Sequence, residues 1–194
     1  MSTPPANGFR TFVMVWFTQS FSVFGNALTL FAVTIWLSQV MYPAPEQQKP
    51  LALALSAVTI ARSVSLVLAA PIAGAWADRH DRKSIMLGAD FANGCLSLVL
   101  VALLVNQILS LTLLLVIMAL SAVFGAFHYA AFDSSYAMLV PQKQLPRANG
   151  MMQTVQELSG IVSPALAAGI ISLPALARQG VLGGALGGLL ARLA

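Results

Sequence analysis

From Phe91 to Phe127 the chain carries no charged residue, and from Phe12 to Val40 it carries none either. A hydrocarbon core about 30 Å thick is crossed by roughly 20 apolar residues in helical form. Runs this long and this free of charge have one favourable environment, which is lipid. Without water to satisfy them, backbone N–H and C=O groups there must bond within their own segment, as an α-helix allows. Composition extends the argument to the whole chain: of 194 residues, 58% are hydrophobic and only 8% charged. A soluble domain carries about 25% charged residues. Too few charges remain to cover a water-facing surface, so the abundant Leu, Ala and Val must face lipid or one another.

The breaks between runs set the number of helices. The first run, Phe12 to Val40, stops at Tyr42-Pro43-Ala44-Pro45-Glu46, where two prolines end a helix and disfavour it in the residues before them. The second, Leu51 to Ala77, holds one charge, Arg62, and ends at Asp78-Arg79-His80-Asp81-Arg82-Lys83. The third starts near Ser84 and carries Asp90 in its opening turns. Phe91 to Phe127 is too long for one span, and Asn106-Gln107 is its natural hairpin tip, which separates a third helix from a fourth. A polar stretch, Asp133 to Asn149, precedes a fifth run from Gly150 to Leu173. Pro174 to Ala194, with Gly183-Gly184 and Gly187-Gly188, offers only about a dozen apolar residues, short of a span. The expected architecture is an all-α membrane bundle over residues 1–173, with five transmembrane helices and an atypical Gly-rich tail, 174–194, in place of a full sixth.

Charge distribution orients the bundle and excludes other classes. With the amino end inside, the inner loops collect Arg10, Arg79, Arg82, Lys83, Lys143 and Arg147, whereas the outer side holds Lys49 and Arg178. The positive-inside rule therefore places the N-terminus in the cytoplasm. Net charge is +4, but the basic residues are scattered among loops instead of forming a face with aromatics, so nucleic acid is not an expected partner. The first run is too long for a signal-peptide core and reads as a retained helix. The single Cys95 allows no disulfide within the chain, and no His/Cys cluster has metal-ligand spacing. No glycine loop ends in Lys-Ser/Thr to hold a nucleotide phosphate, and the two histidines, His80 and His128, accompany no nucleophile motif. The residues imply neither an enzyme nor a cofactor.

The loop from Gly74 to Lys83 is the most informative segment. Gly74, flanked by Ala73 and Ala75, permits close approach of a neighbouring helix. Asp78 can cap the next turn or offer its carboxylate to a partner helix end. Arg79, Arg82 and Lys83 hold the loop in the cytoplasm and can pair with Asp78, Asp81 or Asp90. A basic loop alone is only a solvated topology signal. This arrangement, however, resembles the signature loop of the major facilitator superfamily, Gly-x-Leu-Ala-Asp-Arg-x-Gly-Arg-Lys, in its expected place between the second and third helices. Gly74, Ala77, Asp78, Arg79, Arg82 and Lys83 match, while Trp76 replaces Leu and Asp81 replaces Gly. With Asp90 early in the third helix, the loop looks like that of the macrolide-efflux and siderophore-export branch. Phe24-Gly25-Asn26-Ala27-Leu28, Ala126-Phe127-His128, Val140-Pro141 and Arg147-Ala148-Asn149-Gly150 are similar to other segments of that branch. Gly160 to Gly169 resembles the fifth-helix motif of antiporters, with Ser163 where Gly is usual.

That resemblance covers residues from about 12 to about 172. It implies one half of a twelve-helix, major-facilitator-type bundle, with two inverted three-helix units per half and substrate near the midplane between halves. It implies that Asp78 acts at a helix end in a second half and that Arg82 pairs with nearby acids, locking the outward-facing state. It also implies proton-coupled efflux of a hydrophobic compound across a bacterial inner membrane, with siderophore or lipid export as an alternative. This chain is then expected to be incomplete alone, needing a missing carboxyl-terminal half or a second copy; the rival is a non-transporting fragment or helix-assembly partner.

Ionisable residues within spans are functional candidates by default. Arg62 reads either as a cavity-facing cation or as a snorkelling side chain. Asp90 is placed to pair with Arg79, Arg82 or Lys83. Glu157, about two turns into the fifth helix, is placed for proton exchange or for pairing with Arg147. His128 reads as an interfacial histidine more than as a proton relay. Gln19 and Asn26, seven apart on the first helix, share a face that lines a cavity or binds a neighbour. Pro71 and Pro164 are expected to kink their helices.

Overall fold

The computed structural model describes residues 8–178, with all their side chains except those of 136, 137 and 170–178. Five long helices carry the described chain: α1 Gly8–Trp36, α2 Gln48–Ala77, α3 Arg82–Val105, α4 Leu111–Leu139 and α5 Leu145–Arg178. Among the described residues, four stretches are long and apolar enough to cross a membrane: Gly8–Met41, Pro45–Ala77, Arg82–Val105 and Leu111–Ser135. The first half of α5 carries Arg147, Gln153, Gln156 and Glu157, and this helix is not among the four. It begins before the expected Gly150, at Leu145, and its helical path runs past Pro174 to Arg178. The Gly-rich stretch from 179 on, where a sixth helix would lie, is outside the described residues.

Each break has a local chemical cause. At the end of α1 the helix widens into a π turn, Leu37–Met41, closed by the Tyr42 N–H donating to the Leu37 carbonyl at 2.9 Å. Pro43 and Pro45 then prevent helix from continuing, and a 3₁₀ turn at Pro45–Gln47 leads into α2. Asp81 opens α3 as its N-cap: its carboxylate accepts from the Ser84 N–H at 2.9 Å and from the Ser84 hydroxyl at 2.6 Å. The expected tip at Asn106-Gln107 is the α3–α4 hairpin. Gln107 adopts φ 57°, and the N–H groups of Gln107 and Ile108 donate to the carbonyls of Leu104 and Leu103, each at 3.1 Å. That pair of bonds is a Schellman closure, here with Gln in the left-handed position usually given to Gly.

One expectation fails at α4. The polar residues from Asp133 onward do not leave the helix, which continues to Leu139. The Ser134 and Ser135 hydroxyls donate to the carbonyls of Ala130 and Ala131, at 2.8 and 2.6 Å, so the helix satisfies these polar groups itself. Pro141 marks the end instead, followed by a 3₁₀ turn at Gln142–Gln144. Pro146 lies in the first turn of α5, where its missing N–H breaks no helical bond.

Packing divides the described helices into two groups. In the first, α4 is the common partner of α2 and α3. Ala69 and Ala73 of α2 meet Ala126 of α4, with Val123, Phe127 and Ala130 around them. Four-residue spacing sets Ala69, Ala73 and Ala77 on one side of α2, and all three are buried. Small side chains let the two backbones approach, and such contact holds helices together where lipid tails remove any hydrophobic drive between them. The α3–α4 contact is antiparallel and polar. Asn93 accepts from the Ser121 hydroxyl at 2.8 Å, and Arg82 Nη1 donates to the Ser134 carbonyl at 3.2 Å. The second group joins α1 to α5 in parallel. Trp16 Nε1 donates to the Met151 carbonyl at 3.1 Å, and the Ser163 hydroxyl donates to the Phe24 carbonyl at 3.5 Å.

Two substitutions test these accounts. Ala73→Leu overfills the α2–α4 seam and should cost about 1–3 kcal/mol, read as a lowered unfolding midpoint in detergent; Ala70→Leu, at an exposed neighbour, should leave it unchanged. Gln107→Gly relieves a left-handed residue and should raise stability by about 1 kcal/mol. A drop in the midpoint for that variant would contradict the hairpin geometry.

Candidate functional site

Residues 74–83 lie where two helix ends meet, and each functional side chain takes its position from one of them. Asp78 follows the last residue of α2, its N–H still bonded to the Gly74 carbonyl at 3.1 Å. The expected capping role is not its own. Asp78 keeps helical dihedrals (φ −71°, ψ −22°), whereas the extended residue that starts α3 is Asp81 (φ −64°, ψ 113°). The two Ser84 hydrogen bonds, together with the Lys83 charge, hold the Asp81 carboxyl below the usual aspartate range. The Asp-x-x-Ser spacing of Asp81 and Ser84 is a readable N-cap signal. The Asp78 carboxylate is left exposed.

Gly74 has an open side among the described residues. A Cβ built there would meet nothing within 4 Å. The close approach on α2 falls on Ala69, Ala73 and Ala77, and Gly74 sits about 100° around the helix from Ala73. Arg82 is the best engaged of the loop cations: besides the Ser134 carbonyl it contacts the Met138 thioether, so it ties the start of α3 to the end of α4. Its partner is thus a helix carbonyl, not an acid. Lys83 and Arg79 are exposed.

Further into the bundle, Asp90 meets His128 of α4, with Oδ1 and Nδ1 3.0 Å apart. Pairing with the loop cations does not occur, because Asp90 stands eight residues beyond Arg82, about 12 Å along the helix. His128 is largely buried (12% exposed), and Asp90 is half-buried. The approach lacks hydrogen-bond geometry and is an electrostatic contact. The imidazole stacks on Phe132 at 6.2 Å between centroids and meets Tyr129 edge-on at 6.0 Å. Asp133 also lies within electrostatic reach. His128 is therefore an α3–α4 contact residue. Asn93 and Ser121 form the other polar link at this contact. Sequence reasoning passed over both, since neither residue is charged; two polar residues within apolar runs were the available signal.

The remaining candidates are dispersed. Arg62 is half-buried, and its Nη1 lies 4.0 Å from the Met118 sulfur. Glu157 is exposed and accepts from Gln153 Nε2 at 2.6 Å, one turn earlier on the same helix. Gln19 is half-buried and Asn26 exposed on α1. Pro71 and Pro164 lie within helices that continue through them.

Comparison with known proteins places the sequence in a family. The family model described as Major Facilitator Superfamily matches residues 15–193. Macrolide efflux protein A of Streptococcus pyogenes is 29% identical over 162 residues, covering 84% of this chain and 38% of that protein. Macrolide efflux protein A of Enterococcus faecalis is 36% identical over 103 residues, covering 53% of this chain and 32% of the relative. The chain thus spans under two-fifths of the length of these relatives. No solved structure matches it significantly. Apolar spanning helices, the α2–α3 loop chemistry and the match over nearly the whole chain lead to one conclusion: this multi-pass membrane protein belongs to the Major Facilitator Superfamily.

Proposed function

We propose that the protein builds one half of an efflux pathway for hydrophobic compounds, macrolides being the first class to test. The observation that carries this reading is the Gly74–Lys83 loop at the α2–α3 junction, set in a chain similar to macrolide efflux proteins. The Asp78 carboxylate, exposed at the end of α2, is available to a helix end outside this half. A pathway lined by two bundles requires a second bundle, on the same polypeptide or on another.

Proton coupling is part of the proposal, and the His128–Asp90 contact supports it. An imidazole and a carboxylate 3.0 Å apart within membrane helices are the group types that build proton relays in transporters. Tyr129, Phe132 and Asp133 are the other side chains around this imidazole. The membrane is proposed to be a bacterial inner membrane, with the amino end cytoplasmic.

Expression from the native locus in a macrolide-susceptible bacterium should raise the inhibitory concentration. Asp78→Asn and a protonophore should each remove the gain, and residues 1–194 alone should give none. An unchanged inhibitory concentration, with the protein detected in the membrane, would favour the rival of a non-transporting assembly partner. Orientation is tested with Cys95→Ser as background. Ala44→Cys should react with a membrane-impermeant maleimide in intact cells, and Gln142→Cys only after permeabilisation. The reverse pattern would invert the topology.

A further inference from the structure

The end of α2 presents three faces. Ala69 and Ala73 pack on α4, with the buried Ala77 on the same side, and Gly74 with Asp78 occupy a second side. The third carries Pro71, Ile72, Ala75 and Trp76, followed by Arg79 and His80, which together line an open crevice of about 440 Å³. At 3.6 residues per turn this face lies about a third of a turn from each of the other two. It is an exposed side of a helix long and apolar enough to cross a membrane: Ile72 is 63% exposed and Trp76 50%.

Its chemistry changes along its length in the order a bilayer leaflet changes. Pro71, Ile72 and Ala75 are apolar and lie inside the span. Trp76, at the helix end, is the residue type that sits at headgroup level. His80 stacks flat on its indole, with centroids 4.2 Å apart and planes 10° from parallel. The His80 Nδ1 lies 3.0 Å from the Trp76 carbonyl, an oxygen that can only accept, so Nδ1 carries the proton and Nε2 is left for another partner. Arg79 is exposed beside it, and among the described residues its guanidinium has no ion pair or hydrogen bond. The loop acid nearest in sequence beyond it, Asp81, is occupied by Ser84. The Arg79 cation beside a stacked indole and imidazole, with an apolar face running down from them, complements a phosphate that continues into an acyl chain.

We propose that this crevice binds an anionic phospholipid, its phosphate against Arg79, its headgroup level bounded by the stacked Trp76 and His80, and its acyl chain along Pro71, Ile72 and Ala75. This explains a departure within the signature loop, where Trp76 stands in place of Leu: the indole supports His80 and fills the headgroup level. The inference rests only on α2 crossing a bilayer and stands apart from any transport activity.

The test uses the full chain with Trp16→Phe and Trp36→Phe, so that Trp76 is its single tryptophan. Its fluorescence is measured in phosphatidylcholine vesicles containing brominated phosphatidylglycerol or, at the same mole fraction, brominated phosphatidylcholine. Brominated phosphatidylglycerol should occupy the site with roughly fivefold preference, the order expected from one basic residue at an anionic surface. Arg79→Gln with His80→Gln should abolish the preference while helical content is retained. Equal quenching by the two lipids in the unsubstituted loop overturns the proposal, whatever the variants do. Loss of the preference on adding inorganic phosphate assigns the site to a free anion and overturns the lipid assignment.

Discussion

The hydrocarbon environment offers no hydrogen bonds, and every other feature of this chain follows from that denial. Each backbone group within a span must find its partner on the same helix. Where the helix is interrupted, the freed groups are satisfied locally: Leu37 through a π turn, Leu103 and Leu104 through the Schellman closure, and the start of α3 through Asp81. The same restriction explains why Ser134 and Ser135 bond to carbonyls one turn back. In water these serines favour a loop; at the end of an apolar helix they extend it.

Helix association uses the two means that remain in lipid, close packing and polar links. The α2–α4 seam is an alanine contact in which backbones approach, and the α3–α4 contact is a series of polar links at Asn93–Ser121, Asp90–His128 and Arg82–Ser134. α4 takes part in both, which makes it the organising helix of its group. Arg82 has a double position here. It belongs to the loop that resembles the family signature, and it also fastens two helix ends, so its conservative exchange for Lys would sacrifice the planar fork that reaches a carbonyl and a thioether together.

Much of this was legible in the sequence because membrane helices are written in long stretches. The charge-free runs gave the helices, Asn106-Gln107 gave the hairpin, and Gly74 to Lys83 gave the family. What stayed hidden depended on angle and distance. Nothing in the order of residues says that Asp90 faces His128 thirty-eight positions away, because that requires the α3–α4 register. Gly74 suggested a contact face, yet the contact falls on the alanines one position to its side. The polar run after Asp133 misled because composition counts polar groups without asking whether the helix can satisfy them. The Asp81 cap was readable from its spacing to Ser84 and was overshadowed by the family pattern, which has Gly at that position.

The three-sided end of α2 has a consequence for how its sequence can vary through descent. On the side of Ala69, Ala73 and Ala77, any larger residue forces two backbones apart, so the alphabet is nearly closed. On the side of Gly74, a Cβ would meet nothing within 4 Å, so packing among the described residues sets no such limit. The third side is exposed, and side chains there can be exchanged without disturbing the alanine seam. Trp76, the residue by which α2 itself departs from the family loop, lies on that third side. The helical period therefore separates, within ten residues, positions held by helix packing from positions open to the character of a particular membrane.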